Sequence, residues 1–220
     1  MEYDLIRSRK DKNGPIHHEL HSDTKEKNIK MYSAIRAGLH WPTEESPGYA
    51  VFLGQEKPNS KLNPDIEQGP LRLLIEREYQ GLRLNDFLGQ ITDDSALLKA
   101  DIIYSQPDEA LKRVFWDYCD DRNVKGFRLL EAPFFDRFLL GLNRILDLDS
   151  SGDLRIDKQS LVYQQLQAIS KQDLALEPET KYWRLDALRH VVSGFAKSPP
   201  PKQYIFNRNR NVSKTAWMGA

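Results

Sequence analysis

The order of strand-like and helix-like segments along residues 33–195 constrains the fold more than any other feature of the sequence. Residues 33–39 and 49–53 are extended in character, and the turn-rich segment PTEESPG separates them, which predicts a hairpin. The segment LRLLIEREY at 71–79 alternates apolar and polar residues, which predicts a third strand with one solvated face. The folded region therefore begins with three strands in a meander.

The hydrophobic period then changes from two residues to about 3.6, which predicts helices alternating with short strands. Pro107 and Asp108 open one amphipathic helix, with Asp108 as its cap or first-turn acid. Another helix starts near residue 134 and carries an apolar stripe of Phe135, Phe138, Leu139, Leu142, Ile145 and Leu146. The other predicted elements are a short helix at 84–91, strands at 100–104 and 126–130, a turn at Gly152, a short strand LRI, and helices at 158–170 and 182–196.

Three strands followed by helix, strand, helix, strand and helix is the order found in RNase H-like domains. Other mixed α/β folds also join parallel strands through covering helices, so the order alone leaves them open. We predict an α/β protein with an RNase H-like mixed central sheet flanked by helices. The predicted organisation is a polar N-terminal segment at 1–30, the RNase H-like domain at 31–197 and a basic aromatic tail at 198–220.

Composition limits the class of protein. The 220 residues carry 32 basic and 32 acidic side chains, and a chain of this size can bury one sizeable core. No window approaches the ~18 consecutive apolar residues of a membrane span, and the first residues lack the apolar stretch of a signal peptide. Cys119 is the single cysteine, so the sequence has neither an internal disulfide nor a cysteine-based zinc site. We expect a soluble cytoplasmic protein.

The balanced net charge conceals a basic C-terminal tail, because residues 196–220 contain lysines and arginines but no carboxylate. Aromatic residues are interspersed with these cations, and such a mixture holds phosphates while stacking on bases. The predicted nucleic-acid-binding residues are Lys202, Arg208, Arg210 and Lys214. The same composition is also typical of a segment that docks on a protein, or of a solvated tail.

Two short stretches resemble motifs of the nuclease domain of phage terminase large subunits. Residues 35–54, IRAGLHWPTEESPGYAVFLG, are similar to that family's first hairpin, whose strand ends in a Gly-apolar-Asp-Trp-Gly-like turn, and His40 stands where the acid would be. KYWRLDALRHVVSGF is similar to the family's terminal helix motif, in which an aspartate precedes Ala-Leu-Arg-aromatic, and Asp186 matches that aspartate. The layout of residues 127–156 is also similar to the family's helix, tight turn and short strand.

The resemblance implies nucleolytic cutting of double-stranded DNA during genome packaging, with Mg or Mn as cofactor. Its implied partners are double-stranded DNA and a packaging ATPase or other viral proteins, in the host cell cytoplasm. Two divalent cations about 3.5 to 4 Å apart need anionic oxygens that bridge them. Asp186 and His40 are the implied metal ligands. An imidazole can ligate one metal but cannot bridge two, so His40 puts the two-metal mechanism in doubt.

Asp186 is the leading catalytic candidate. The apolar residues of its helix can share one face while Asp186 points elsewhere. The alternative role is an exposed acid that pairs with Arg189, three residues further along the helix.

The other catalytic candidates are Asp108, Glu109 and Asp86. The strand at 100–104 is followed by Ser-Gln-Pro, so no carboxylate stands directly at its end, and Asp108 and Glu109 are the next acids along the chain. Their alternative roles are a helix N-cap and a first-turn acid. Asp86 near the start of a short helix and Glu131 after a strand are further candidates for a groove acid.

Two functions of different classes are consistent with these features. The first is a terminase-nuclease-like protein that engages double-stranded DNA or the phage packaging machine, with metal-dependent phosphodiester cleavage doubtful because the acidic set is incomplete. The second is a non-catalytic viral structural or adaptor protein that uses the fold as a scaffold and the tail for docking. An unrelated α/β domain is a third possibility. The sequence contains no GxxxxGK[ST] phosphate-binding loop, so a packaging ATPase would be another polypeptide, or this chain is a stand-alone relative of the nuclease half.

Overall fold

A computed structural model describes residues 6–9, 17–20, 29–58, 68–80, 83–126, 128–133, 138–169 and 182–195. The tail, with the four predicted nucleic-acid-binding residues Lys202, Arg208, Arg210 and Lys214, lies outside these residues.

The described residues form strands and helices in the predicted order. The strands are β1 (Ile6–Arg9), β2 (His17–Leu20), β3 (Tyr32–His40), β4 (Gly48–Glu56), β5 (Leu71–Tyr79), β6 (Ile102–Ser105), β7 (Arg128–Glu131) and β8 (Leu154–Arg155). The helices are α1 (Leu84–Leu98), α2 (Glu109–Asp121), α3 (Phe138–Ser151), α4 (Leu161–Ala168) and α5 (Trp183–Phe195).

Six of the strands form one mixed sheet in the order β7-β6-β3-β4-β5-β8. The β3–β4 and β4–β5 pairs are antiparallel, whereas β3–β6, β6–β7 and β5–β8 are parallel. The first strand of the meander, β3, lies in the middle of the sheet, and the later strands β6 and β7 are added beside it. This arrangement confirms the predicted RNase H-like architecture. β1 and β2 pair with each other in a second, two-stranded antiparallel sheet.

Both faces of the sheet are covered by helices, which explains the apolar run in β4. Residues 49–53 of this strand are completely buried. Ala50 and Phe52 pack with residues of α1 and α2 on one face, whereas Tyr49, Val51 and Leu53 pack with residues of α3, α4 and α5 on the other. A strand that is buried on both faces needs apolar side chains at every position, and β4 meets this requirement.

Helix α5 lies very close to β3, and Gly38 makes this approach possible. A Cβ atom at Gly38 would lie 1.9 Å from the carbonyl oxygen of Ala187 and 2.8 Å from the backbone nitrogen of Val191. A glycine in a strand often marks such a close approach of two backbones. Because side chains alternate along β3, Arg36 and His40 also face α5, and the Arg36 guanidinium donates to the carbonyl of Gly194.

Three details differ from the sequence predictions. Helix α1 continues to Leu98 instead of ending near residue 91, and in its second half Asp94 accepts a hydrogen bond from Arg77 of β5. In α3, Leu139 and Leu146 of the predicted core stripe are exposed. The polar N-terminal segment contains the paired strands β1 and β2, which were not predicted. In the described part of the chain no helix is long and apolar enough to cross a membrane.

Candidate functional site

The last residue of β3 meets the first turn of α5. His40 Nδ1 lies 3.7 Å from Asp186 Oδ2, and both side chains are more than nine-tenths buried. The two residues that the sequence singles out as metal ligands are thus neighbours at one end of the sheet, 146 positions apart in the chain. Alternation along β3 turns His40 toward α5, and the close contact at Gly38 brings the helix within reach.

The β3–β4 turn fixes the His40 ring. His40 Nε2 and Ser46 Oγ are 2.9 Å apart, and Ser46 Oγ is 2.8 Å from Thr43 Oγ1. The Ser46 backbone N–H donates to Thr43 Oγ1 at 3.0 Å, while the Thr43 N–H donates to the Ser46 carbonyl at 2.9 Å. This compact turn holds the ring so that the remaining nitrogen, Nδ1, faces Asp186. The sequence predicts the turn but not the role of Ser46.

Asp186 is paired with Arg189 inside the protein. Arg189 Nη2 donates to Asp186 Oδ1 at 2.9 Å, and its guanidinium lies 5.4 Å from the centre of the Phe138 ring. The predicted alternative, a pair between residues three apart, therefore exists, but it is buried and not exposed. Burial raises the pKa of Asp186, yet the neighbouring His40 ring, His190 and Arg189 outweigh burial and hold this pKa below its usual value.

His190 lies one helical turn after Asp186 and was not a candidate from the sequence. Its Nδ1 is 2.9 Å from the carbonyl oxygen of Leu39, so this nitrogen carries the proton and donates it to β3. Burial lowers the pKa of His190 to about 4, which makes the ring neutral at pH 7. Its spacing of four residues from Asp186 is the sequence signal that could have identified it. His40, Asp186, Arg189 and His190 are called the Asp186 cluster below.

The other three catalytic candidates, Asp86, Asp108 and Glu109, are not part of the Asp186 cluster. Asp108 caps α2, because its carboxylate accepts from the Leu111 N–H at 2.9 Å, which is the alternative role that the sequence suggested. Glu109 is exposed and lies 3.3 Å from the Lys112 ammonium. Asp86 is an exposed residue in the first turn of α1, a helix that packs on the sheet face opposite α5.

The end of β6 also lacks an acid at the cluster. Ser105 is its last residue, and the Ser105 hydroxyl donates to the carbonyl of Gln106 at 3.1 Å. Glu131, at the end of β7, is exposed and lies 3.6 Å from Lys112. In the part of the chain that the structure describes, no group of three or more His, Cys, Asp or Glu side chains is arranged to hold a metal ion.

The donor set of the Asp186 cluster does not fit a two-metal centre. Such a centre needs several carboxylate oxygens, some of which bridge the cations. Asp186 supplies one carboxylate, which already accepts hydrogen bonds from Arg189, and His40 supplies one ring nitrogen. No catalytic step through a pair of divalent metals follows from these residues.

Comparison with known proteins supports the fold. The solved structure of the large terminase nuclease from the thermophilic phage G20c, with bound zinc, matches with a TM-score of 0.51 and 8% sequence identity, covering 89% of this chain and 94% of that chain. At this identity the likeness shows a shared fold, here an RNase H-like mixed sheet flanked by helices. No protein-family model matches the sequence, and no curated protein matches it.

Proposed function

We propose that this chain is a terminase-nuclease-like protein of a phage DNA-packaging machine and that it engages double-stranded DNA without cutting it. The fold shared with a terminase nuclease supports the kinship. One observation supports the proposal that the protein does not cut DNA. The carboxylate next to His40 is that of Asp186, and the Arg189 guanidinium already forms an ion pair with it. Two-metal hydrolysis needs a larger set of anionic ligands than this cluster offers.

The basic tail is the proposed DNA-binding element. Lys202, Arg208, Arg210 and Lys214 supply charge for phosphates, and Tyr204, Phe206 and Trp217 supply rings for stacking. The proposed setting is the host cytoplasm, and the proposed protein partner is a packaging ATPase or another viral protein.

A second candidate is the non-catalytic adaptor, in which the tail docks on another viral protein. The surface of α3 favours it, because Leu139, Leu140 and Leu146 are 44%, 47% and 43% exposed on one helix. Neighbouring exposed apolar side chains are typical of surfaces that contact proteins.

The first experiment tests cutting. Supercoiled plasmid is incubated with the full chain and Mg²⁺ or Mn²⁺, and the proposal expects no nicked product above the rate of a buffer control. Metal-dependent nicking that Asp186→Ala abolishes would refute the non-cutting function and would restore Asp186 as a catalytic residue.

The second experiment tests DNA binding by the tail. In the full chain, Lys202, Arg208, Arg210 and Lys214 are changed to Gln, and duplex affinity is measured by fluorescence anisotropy over a range of salt. Four lost phosphate contacts should reduce the slope of log affinity against log salt by about 3 to 4.

The matched control changes four exposed or partly exposed cations of the folded region, Lys30, Lys57, Arg113 and Lys125, to Gln. It removes the same net charge and should leave most of the slope intact. Equal losses in both variants would indicate a general charge effect, and full binding by the tail variant would favour the adaptor.

A further inference from the structure

The exposed face of α3 lies beside the point where the described chain ends, and we propose that residues 204–210 of the protein's own tail dock on it. This face, called the α3 face below, carries Leu139, Leu140 and Leu146, which are 44%, 47% and 43% exposed. The segment that would cover them, YIFNRNR, combines three apolar residues with two arginines. The inference concerns the tail in the absence of DNA and does not depend on the proposed function.

A cavity of about 180 Å³ is lined by residues of both α3 and α5. Arg144 and Leu148 contribute from α3, and Val192 and Phe195 contribute from α5. Phe195 is the last residue of α5 and the last residue that the structure describes. The tail therefore leaves the folded region beside the helix on which it is proposed to dock.

The leucines of the α3 face lie within reach of this starting point. Residues four apart are neighbours on a helix, so Leu140 lies next to Arg144 and continues the surface away from the cavity. Leu139 and Leu146, seven residues apart, lie together on the far side of the face. The 14 residues of α3 span about 21 Å, whereas residues 196–204 reach up to about 30 Å when they are extended. Residues 204–210 can therefore reach any part of the face.

The charges around the α3 face complement those of the tail. Asp147, Asp149 and Asp153 lie on α3 or directly after it, and Asp153 also lines the cavity. These acids outnumber the cation of Arg144 at the cavity. The tail contains no carboxylate, and residues 204–210 carry their two arginines close behind the apolar triplet. Opposite charges on the two surfaces favour this pairing over contact with a basic surface.

The attachment of the tail favours it over a separate partner as the occupant of the α3 face. A segment that is tethered beside its site has an effective concentration in the millimolar range, so even a weak contact is populated. The three prolines at 199–201 stiffen the connection, which reduces the conformational entropy lost on docking.

Photocrosslinking in the full chain tests where the tail lies. Phe206 is replaced by p-benzoylphenylalanine, the protein is irradiated without DNA, and tryptic peptides are identified by mass spectrometry. The crosslink should join position 206 to residues 138–144 or 145–155 of the same chain, because these peptides carry the three leucines. Crosslinks that form mainly on another surface, or no crosslink at all, would overturn the inference. A crosslinked dimer would place the tail of a second copy on the face and would overturn docking within one chain.

Two matched variants of the crosslinking protein test the apolar contact. The first combines Leu139→Gln, Leu140→Gln and Leu146→Gln, and it should lower the yield of this crosslink about tenfold because the apolar area is lost. The control makes the same change at three apolar residues of other elements that are 37% or 38% exposed, Leu97, Val114 and Leu130. Its yield should be unchanged, and equal yields in the two variants would overturn the inference.

Tryptic cleavage of the native protein gives a second readout. Cutting after Arg208 and Arg210 should be about tenfold faster in the leucine variant than in the unchanged chain, because a docked segment is protected from the protease. Equal cleavage rates would contradict docking. If circular dichroism shows that the leucine variant does not fold, the crosslink positions in the otherwise unchanged chain decide alone. Failure of the proposed DNA binding would appear in the anisotropy measurements and would leave the crosslinks unchanged.

Discussion

The contact between Gly38 and α5 provides the sharpest stability prediction. Replacing Gly38 with alanine would place a Cβ atom 1.9 Å from the Ala187 carbonyl oxygen, whereas an ordinary contact starts near 3.4 Å. The helix must therefore withdraw by about 1.5 Å, because the Cβ atom is attached directly to the backbone of β3 and the oxygen belongs to the backbone of α5. Overpacking usually costs about 1 to 3 kcal/mol, and a clash between two backbones should lie at the upper limit, about 3 kcal/mol.

Urea unfolding followed by circular dichroism measures this cost directly. For a chain of this size, about 3 kcal/mol corresponds to a fall of about 6 to 12 °C in melting temperature. Gly89→Ala is the control, because a Cβ atom there meets only the Tyr118 hydroxyl at 3.0 Å, and alanine favours the helix. A loss of less than about 1 kcal/mol in Gly38→Ala would refute the close approach of α5 to β3.

Three further predictions concern buried polar groups. The pKa of His190 is about 4 in the folded protein and 6.5 in the unfolded chain. Between these pH values the unfolded chain binds more protons than the folded protein. The free energy of unfolding should therefore fall by about 3 kcal/mol as the pH drops from 6.5 to 4. Urea unfolding at several pH values should show this slope reduced in His190→Phe, and an unchanged slope would contradict the assignment. Glu76→Ala should cost about 3 kcal/mol in chemical unfolding, because the carboxylate accepts from the Tyr49 hydroxyl and from the N–H groups of Leu161 and Val162, whereas Glu76→Gln should cost less. Burial raises the pKa of Cys119 to about 11, so a thiol reagent should label the native protein far more slowly than the urea-unfolded chain, and equal rates would contradict its burial.

The fold was predictable because its signals are local. The change of hydrophobic period after residue 79 separates the meander from the alternating helices and strands, and the Asp108 cap was readable from its position before an apolar helix face. The end of α1 was not readable in this way. Its second half contains Asp94, whose partner Arg77 comes from β5, and such pairing between distant residues leaves no trace in the local pattern.

The candidate site was predictable only in part, for the same reason. The family resemblance indicated His40 and Asp186, and the structure brings them together. Ser46 and His190 were missed because a serine in a turn and a histidine in a helix are common, and only the packing of α5 on β3 gives them partners. The catalytic roles proposed for Asp86, Asp108 and Glu109 rested on closeness in sequence to strand and helix ends, which does not determine the sheet face that a residue occupies.

Because α5 covers β3 but follows it late in the chain, β3 is synthesised well before the helix that covers it. His40 and Phe195 are separated by 155 positions, so at about 5 to 20 residues per second the ribosome needs about 8 to 30 s to supply the helix after it has made the strand. During that interval the apolar face of the nascent sheet that α5 will cover is exposed to solvent. Newly made chains should therefore depend on chaperones until the last helix emerges, and slow codons between these elements should lower the yield of soluble protein.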